Sequence, residues 1–138
     1  MGCWGIKSYD NDDAHEALDR GFERVHGEVY DDLMDDRNPL TLEQVQRKLA
    51  SPETLAAALD LFLDEAGSDR GLWDDLDRLG YAGIVVRHAE LDVPIPAEAM
   101  ASAIQFLEAE DMDWGEDATK RGLRREKELA LLRRSAAG

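Results

Sequence analysis

The run Asp10-Asn11-Asp12-Asp13 is the first part of the chain whose side chains could do chemistry. Carboxylates and amides in this pattern can ligate a hard metal ion, form an acid–base pair or cap a helix. If Asp10 is the N-cap, its carboxylate accepts hydrogen bonds from the backbone N–H groups of Asp12 or Asp13. Those two carboxylates then lie at the positive end of the helix dipole. We therefore predict that this run starts a helix.

A metal site on the same helix is the first alternative. His15 and Asp19 are four residues apart and would share one helix face, with Asp12 one turn before His15. His26 lies three turns beyond His15, about 16 Å along the axis, so the two histidines cannot hold one ion. The candidates for a third ligand in another segment are His88 and Glu90. A structural zinc site takes four ligands and no compact set supplies them, so we predict no metal and no cofactor.

The second alternative is a metal-dependent hydrolase built on the same stretch. Its functional groups would be those of Asp12, Asp13, His15 and Glu16. The sequence contains no glycine-rich phosphate loop, no Gly-x-Ser-x-Gly elbow and no His-Glu-x-x-His zinc motif. This pattern leans against an enzyme.

Two clusters rich in aspartate are candidate binding surfaces. The first repeats carboxylates at a four-residue spacing. Like charges at that spacing repel one another on one helix face unless nearby cations pair with them. It consists of Asp31, Asp32, Asp35 and Asp36, and the cations that could answer it are Arg37, Arg121, Arg124 and Arg125. The second joins an aromatic ring to carboxylates, a combination suited to a basic partner. It consists of Trp73, Asp74, Asp75 and Asp77.

Charge is the strongest compositional signal, because 31 acidic and 16 basic residues give a net charge of −15. Residues 1–119 carry 29 acidic and 9 basic groups, whereas residues 120–138 carry 2 and 7. An acidic body repels phosphate backbones, which argues against direct binding of DNA or RNA. It suits a basic protein partner, although high charge also serves solubility alone. We expect the basic C-terminal segment to dock on the acidic body.

Apolar residues recur at three- and four-residue steps through most of the chain, which predicts α-helices. The first helix is predicted over residues 11–34, with Gly27 ending or kinking it. Thr41 and the pair Ser51-Pro52 predict the starts of two further helices. Gly80 is predicted to close another helix before the next one begins.

Residues 1–138 are predicted to form one compact, all-α bundle of six to seven helices. Within it, residues 93–96 (Val-Pro-Ile-Pro) form a rigid linker, and Asp113-x-x-Glu116 starts a last helix that ends near Arg134. Residues 120–138 thus form a basic C-terminal helix and a frayed tail. Residues 1–10 form an extended N-terminal anchor with one buried face. Its structural residues, with those of the helix start, are Trp4, Gly5, Tyr9, Asp10 and Asp13.

The opening pattern also resembles a known family. Met1-Gly2-x-Trp4-Gly5, followed by an aromatic residue and then Asp10-Asn11-Asp12-Asp13-Ala14, is similar to the start of domain-of-unknown-function family 4259. That family usually has phenylalanine where this chain has Tyr9, and the likeness covers about the first 18 residues. The resemblance implies a small, mostly helical bacterial protein. It implies no activity and transfers no functional residues.

Taken together, these patterns predict a non-enzymatic, acidic protein-binding module with a basic protein partner. Neutralising a toxin or a nucleic-acid-handling protein would be one such role. The alternatives are the hydrolase above and a structural subunit of a larger assembly, and the oligomeric state is left open. The sequence has no long apolar run and no leader pattern, and Cys3 is its only cysteine, so we expect no membrane contact and a cytoplasmic location.

Overall fold

The computed structural model describes residues 5–137, with Ala137 described by its backbone alone, so the Trp4 prediction lies outside the described residues. These residues contain seven α-helices, two 3-10 turns and no strand, which confirms the predicted all-α bundle. The helices are α1 (Asp12–His26), α2 (Glu28–Met34), α3 (Leu42–Leu49), α4 (Pro52–Ala66), α5 (Asp75–Glu90), α6 (Ala97–Glu108) and α7 (Ala118–Ala137). The 3-10 turns are Arg70–Leu72 and Gly115–Asp117.

Helix α5 forms the centre of the bundle. Every residue from Leu79 to Ala89 is buried, which is typical of a helix enclosed on all sides. Helices α1, α4, α6 and α7 pack around it, and α1 also packs along α4. The interior is one continuous cluster of apolar side chains.

Gly27 and Gly80, both predicted to end helices, have different roles in the structure. Gly27 has a φ of 54° and separates α1 from α2, as the sequence predicts. Gly80 does not end a helix, so the predicted break there is wrong. It lies inside α5, where a Cβ would come within 2.7 Å of the Phe62 ring. Its role is close packing between α5 and α4.

Helix α1 begins one residue later than predicted, because its N-cap is Asn11 and not Asp10. The Asn11 side chain accepts a hydrogen bond from the Ala14 N–H at 2.9 Å and donates to the Ser8 carbonyl at 2.8 Å. The residue is fully buried, so a neutral amide that both donates and accepts fits better than a carboxylate. The Asp10 carboxylate instead accepts from the Lys7 backbone N–H at 3.2 Å.

Residues 5–9 form bends and a turn instead of the predicted extended segment. The Asp10 N–H donates to the Lys7 carbonyl at 3.0 Å and closes the turn. A Cβ at Gly5 would lie 2.2 Å from the Asp10 carboxylate, so a larger residue there would displace it. Ser8 is fully buried against the bundle.

The linker and the last helix complete the fold. Residues 93–96 join α5 to α6, and the Val93 N–H donates to the His88 carbonyl at 3.0 Å. The Asp113 carboxylate caps only a turn, accepting from the Gly115 N–H at 2.9 Å, and α7 starts later than predicted, at Ala118. It continues to Ala137, three residues beyond the predicted end near Arg134.

Candidate functional site

Helix α2 and the two residues after it carry exposed acidic and apolar side chains. The nine residues 28–36 include five carboxylates, and all five are exposed. Val29 and Met34, between them in sequence, are 54% and 40% exposed. We call this set the α2 acidic surface: Glu28, Val29, Asp31, Asp32, Met34, Asp35 and Asp36.

Tyr30 holds this short helix on the bundle. It is the buried residue of α2, and its ring stacks on Phe22 with the ring centres 5.8 Å apart. Its hydroxyl donates a hydrogen bond to the Asp19 carboxylate of α1. Burial, and then that hydrogen bond, raise the pKa of Tyr30, so the phenol stays neutral. Leu33 packs partly buried against the same core, and the other residues of α2 are exposed.

Carboxylates from α1 crowd the same surface. The Asp31 carboxylate lies within hydrogen-bonding reach of Glu23, and its proximity raises the pKa of Glu23. The Asp19 carboxylate adds to the same repulsion. A cation that approached this point would relieve the repulsion.

One of the predicted cations pairs with a carboxylate of this cluster. Arg37 donates to both carboxylate oxygens of Asp35, at 3.0 Å from Nε and from Nη2, and these hydrogen bonds lower the pKa of Asp35. Asp35 is the C-cap of α2 and Asp36 lies beyond it, so the four aspartates do not share one helix face as predicted. Only Asp31 and Asp32 project from helical positions.

The second predicted surface does not have the expected form. Trp73 is 3% exposed and packs against Phe62, Tyr81 and Phe106, while its indole N–H donates to the Gly67 carbonyl at 2.8 Å. Its ring therefore belongs to the core and cannot contact a partner. The large apolar contribution of an indole makes burial the favourable outcome.

The aspartates after Trp73 serve the start of α5. Asp74 is the N-cap, accepting from the Asp77 N–H at 2.8 Å, and the Asp77 carboxylate accepts from the Asp74 N–H at 3.2 Å. Asp75 pairs with Arg78 at 3.2 Å. This reciprocal capping box gives Asp74 and Asp77 a structural role at the start of α5, and the use of the aspartates as a binding patch stays a prediction.

Several of the residues considered for a metal are engaged by other groups in the structure. Asp19 accepts from Tyr30, and the His26 Nε2 lies 2.8 Å from the Leu49 carbonyl oxygen. Both nitrogens of the buried His88 are engaged, one by Thr54 and one by the Ile84 carbonyl. Within residues 5–137, no three His, Cys, Asp or Glu side chains are arranged to hold an ion.

The hydrolase quartet is likewise not brought together. Asp13 and Glu16 line a small cavity of about 100 Å³ between α1, α4 and α5. His15 lines a different cavity, beside Tyr9 and Leu42. Asp12 is exposed in the first turn of α1. Consecutive helical positions point about 100° apart, so neighbours in sequence face different surroundings.

The basic helix docks on its own body, as expected. Arg121, only 2% exposed, pairs with Glu128 at 2.9 Å and with Glu110, and its guanidinium lies 5.2 Å from the centre of the Trp114 ring. Arg124 pairs with Glu90, and Arg125 donates to the Glu110 carbonyl at 3.2 Å. These arginines therefore do not answer the carboxylates of α2.

The sequence analysis did not identify Glu128, the buried glutamate of this helix with which its arginines pair. Glu128 is 1% exposed and accepts from Arg121, from Arg124 and from the backbone and hydroxyl of Ser8. Its positions seven and four residues after two arginines were a usable signal, since such residues share a helix face. No local pattern indicates the Ser8 contact, because 120 residues separate the two.

No protein-family model matches this chain, and no curated protein or solved structure matches it either. The resemblance to domain-of-unknown-function family 4259 therefore stays a prediction, carried by the opening residues. None of the helices within residues 5–137 combines the length and the apolar character that crossing a membrane requires.

Proposed function

We propose that this protein is a non-enzymatic binding module whose α2 acidic surface holds a basic region of a partner protein. The observation that carries the proposal is the pairing of exposed carboxylates with exposed apolar side chains on one short helix. Val29 and Met34 supply apolar contact area, and the surrounding carboxylates supply charge. Interfaces of this kind combine an apolar centre with a polar rim.

Charge determines the chemistry of the partner. The α2 acidic surface carries five carboxylates, and within residues 5–137 the cation that pairs with one of them is Arg37. A lysine- or arginine-rich surface with an apolar residue at its centre complements it. A net charge of −15 adds long-range steering, which raises the association rate at low ionic strength. Neutralising a basic toxin or a nucleic-acid-handling protein is one role that would fit a binding module with this surface charge.

The setting that we propose is the cytoplasm of a bacterium. The single cysteine suits a reducing compartment, and the family that the opening residues resemble is bacterial. The proposal includes no direct contact with DNA or RNA, because the acidic surface repels their phosphates.

Capture of partners from the native host at increasing salt tests the proposal. The full chain is compared with Asp31→Asn/Asp32→Asn and with the control Asp60→Asn/Asp64→Asn, which removes the same charge from exposed positions of α4. We expect a basic protein that is retained at low salt, released at high salt, lost with the α2 variant and kept with the control. Retention by the α2 variant, or no retained protein at low salt, contradicts the proposal.

A further inference from the structure

A cavity of about 380 Å³ lies between the N-terminal segment, α3, α5 and α7, and none of its lining residues belongs to the α2 acidic surface. Three carboxylates line it, those of Glu43, Glu90 and Glu128. Twice as many cationic side chains line it: Lys7, Arg47, Arg87, Arg124, Lys127 and Arg134. A positive excess in one cavity is unexpected for a chain whose net charge is −15.

The inner arginines are fixed in place by the carboxylates. Arg87 pairs with Glu43 at 3.1 Å and with Glu90 at 3.2 Å, and its Nε donates to the Gln46 side chain at 2.7 Å. Arg124 pairs with Glu90 and lies 3.4 Å from Glu128. These pairs engage all three acidic groups of the cavity, whose lining therefore keeps an excess of positive charge.

The outer cations are the ones that remain open to a ligand. Lys7, Lys127 and Arg134 are exposed, and among residues 5–137 no carboxylate lies within 4 Å of their charged groups. Arg47 reaches Glu43 at 3.8 Å and Asp92 at 3.7 Å, which are long, half-exposed contacts. Pairs of that type contribute little, so Arg47 can turn towards a stronger acceptor.

Tyr9 forms an aromatic wall of the cavity. Its ring is flanked by the Lys7 ammonium at 5.6 Å and by the Arg87 guanidinium at 5.5 Å from the ring centre. Its hydroxyl donates to Glu90 at 2.6 Å, which fixes the ring orientation. Leu131 adds apolar surface. A pocket of this size with convergent polar groups is typical of a small-molecule site.

We propose that this cavity binds a small, multiply charged oxyanion, with Lys7, Lys127 and Arg134 as its direct ligands. Ammonium and guanidinium groups donate charge-assisted hydrogen bonds to phosphate and carboxylate oxygens. The acidic exterior repels anions at long range, so a ligand is held only if several donors of the cavity bind it at once, and a multiply charged oxyanion offers an acceptor to each of them. Phosphorylated metabolites and polycarboxylates share this chemistry.

Isothermal titration of the full chain with sodium pyrophosphate and, separately, with sodium citrate at low ionic strength tests this site. The variant Lys127→Gln/Arg134→Gln removes two of the outer cations. The control Lys48→Gln/Lys120→Gln removes the same charge from exposed positions that do not line the cavity. Neutral glutamines at exposed positions leave the fold intact.

We expect saturable binding of one of the two probes, and loss of two charge-assisted hydrogen bonds should weaken it about tenfold or more in the cavity variant. The control should bind as the native chain does. Tighter pyrophosphate binding assigns a phosphorylated ligand, and tighter citrate binding assigns a polycarboxylate. Absence of binding by both probes, or equal weakening in the control variant, overturns the proposal.

Discussion

The Ser8 hydroxyl donates a 2.8 Å hydrogen bond to the Glu128 carboxylate, across 120 residues of sequence. The same carboxylate receives the Ser8 backbone N–H at 3.0 Å and pairs with Arg121 at 2.9 Å. The N-terminal segment and α7 are therefore held together by a buried ionic group, and its Glu128 also lines the cavity of about 380 Å³.

We predict that Glu128→Gln destabilises the protein by about 3 kcal/mol, because removal of one member of a buried pair leaves the Arg121 charge poorly compensated. The matched control is Glu126→Gln, an exposed glutamate of the same helix, for which a change within about 0.5 kcal/mol is expected. Urea unfolding at neutral pH measures both. Equal stabilities for the two variants would show that the Glu128 contacts contribute nothing.

The position of the N-terminal segment on α5 gives a second prediction. A Cβ at Gly83 would lie 2.4 Å from the Ser8 carbonyl oxygen, whereas a Cβ at Gly122 of α7 meets nothing within 4 Å. Gly83→Ala should cost about 1–3 kcal/mol by overpacking. Gly122→Ala should stabilise by about 0.5–1 kcal/mol through helix propensity. Thermal unfolding of the pair checks the opposite signs, and a stabilised Gly83→Ala protein would exclude the contact with Ser8.

Trp73 and Leu72 give a third prediction, because they are neighbours with opposite environments. Trp73 is 3% exposed and Leu72 is 82% exposed. Trp73→Ala should cost about 3–5 kcal/mol through the cavity that it leaves. Leu72→Ala should change the free energy of unfolding by no more than about 0.5 kcal/mol. Chemical denaturation distinguishes the two variants. An unchanged free energy of unfolding for Trp73→Ala would contradict the burial of the indole in the core.

His88 gives a pH prediction. Its neutral ring donates Nδ1–H to the Ile84 carbonyl at 3.0 Å and accepts from the Thr54 hydroxyl at Nε2, at 2.9 Å. Burial, and less so the nearby Arg87 charge, lower the pKa of His88 to about 4 from its ordinary value of 6.5. The unfolded chain therefore binds more protons between these values, and stability falls as the pH drops from about 6.5 towards 4.

The size of this effect is up to about 3 kcal/mol at 1.36 kcal/mol per pKa unit. The carboxylates also titrate in this range, so the measurement is the difference between the native chain and His88→Gln. Urea unfolding at pH 7 and at pH 5 should show a smaller loss of stability in the variant. The same loss in both proteins would show that protonation of His88 does not contribute to the pH dependence of stability.

Local patterns predicted the parts of the fold that local physics determines. Thr41 and Ser51 cap α3 and α4 as expected, each accepting at 3.2 Å from the N–H three residues later. The Asn11 cap was missed by one residue, because only the Ser8 contact makes the neutral amide preferable to Asp10. Gly80 was misread because the Phe62 ring that requires it comes from another helix.

The candidate sites were harder to predict for the same reason. The spacing identified Asp31 and Asp32, and the structure exposes both. The prediction for Trp73 was wrong because an aromatic residue beside carboxylates gives the same sequence pattern whether its ring is buried in a core or exposed at an interface. The cationic cavity was missed entirely, since Lys7, Arg47 and Lys127 come from three distant segments.

Hydrogen exchange of the protein alone and in complex with its captured basic partner is the most direct test of the proposed function. We predict slower exchange of the backbone amides of residues 28–36 on binding, with residues 60–66 of α4 unchanged as an internal control. Protection confined to other segments, with residues 28–36 exchanging as fast as before, would contradict the assignment of the α2 acidic surface as the binding surface.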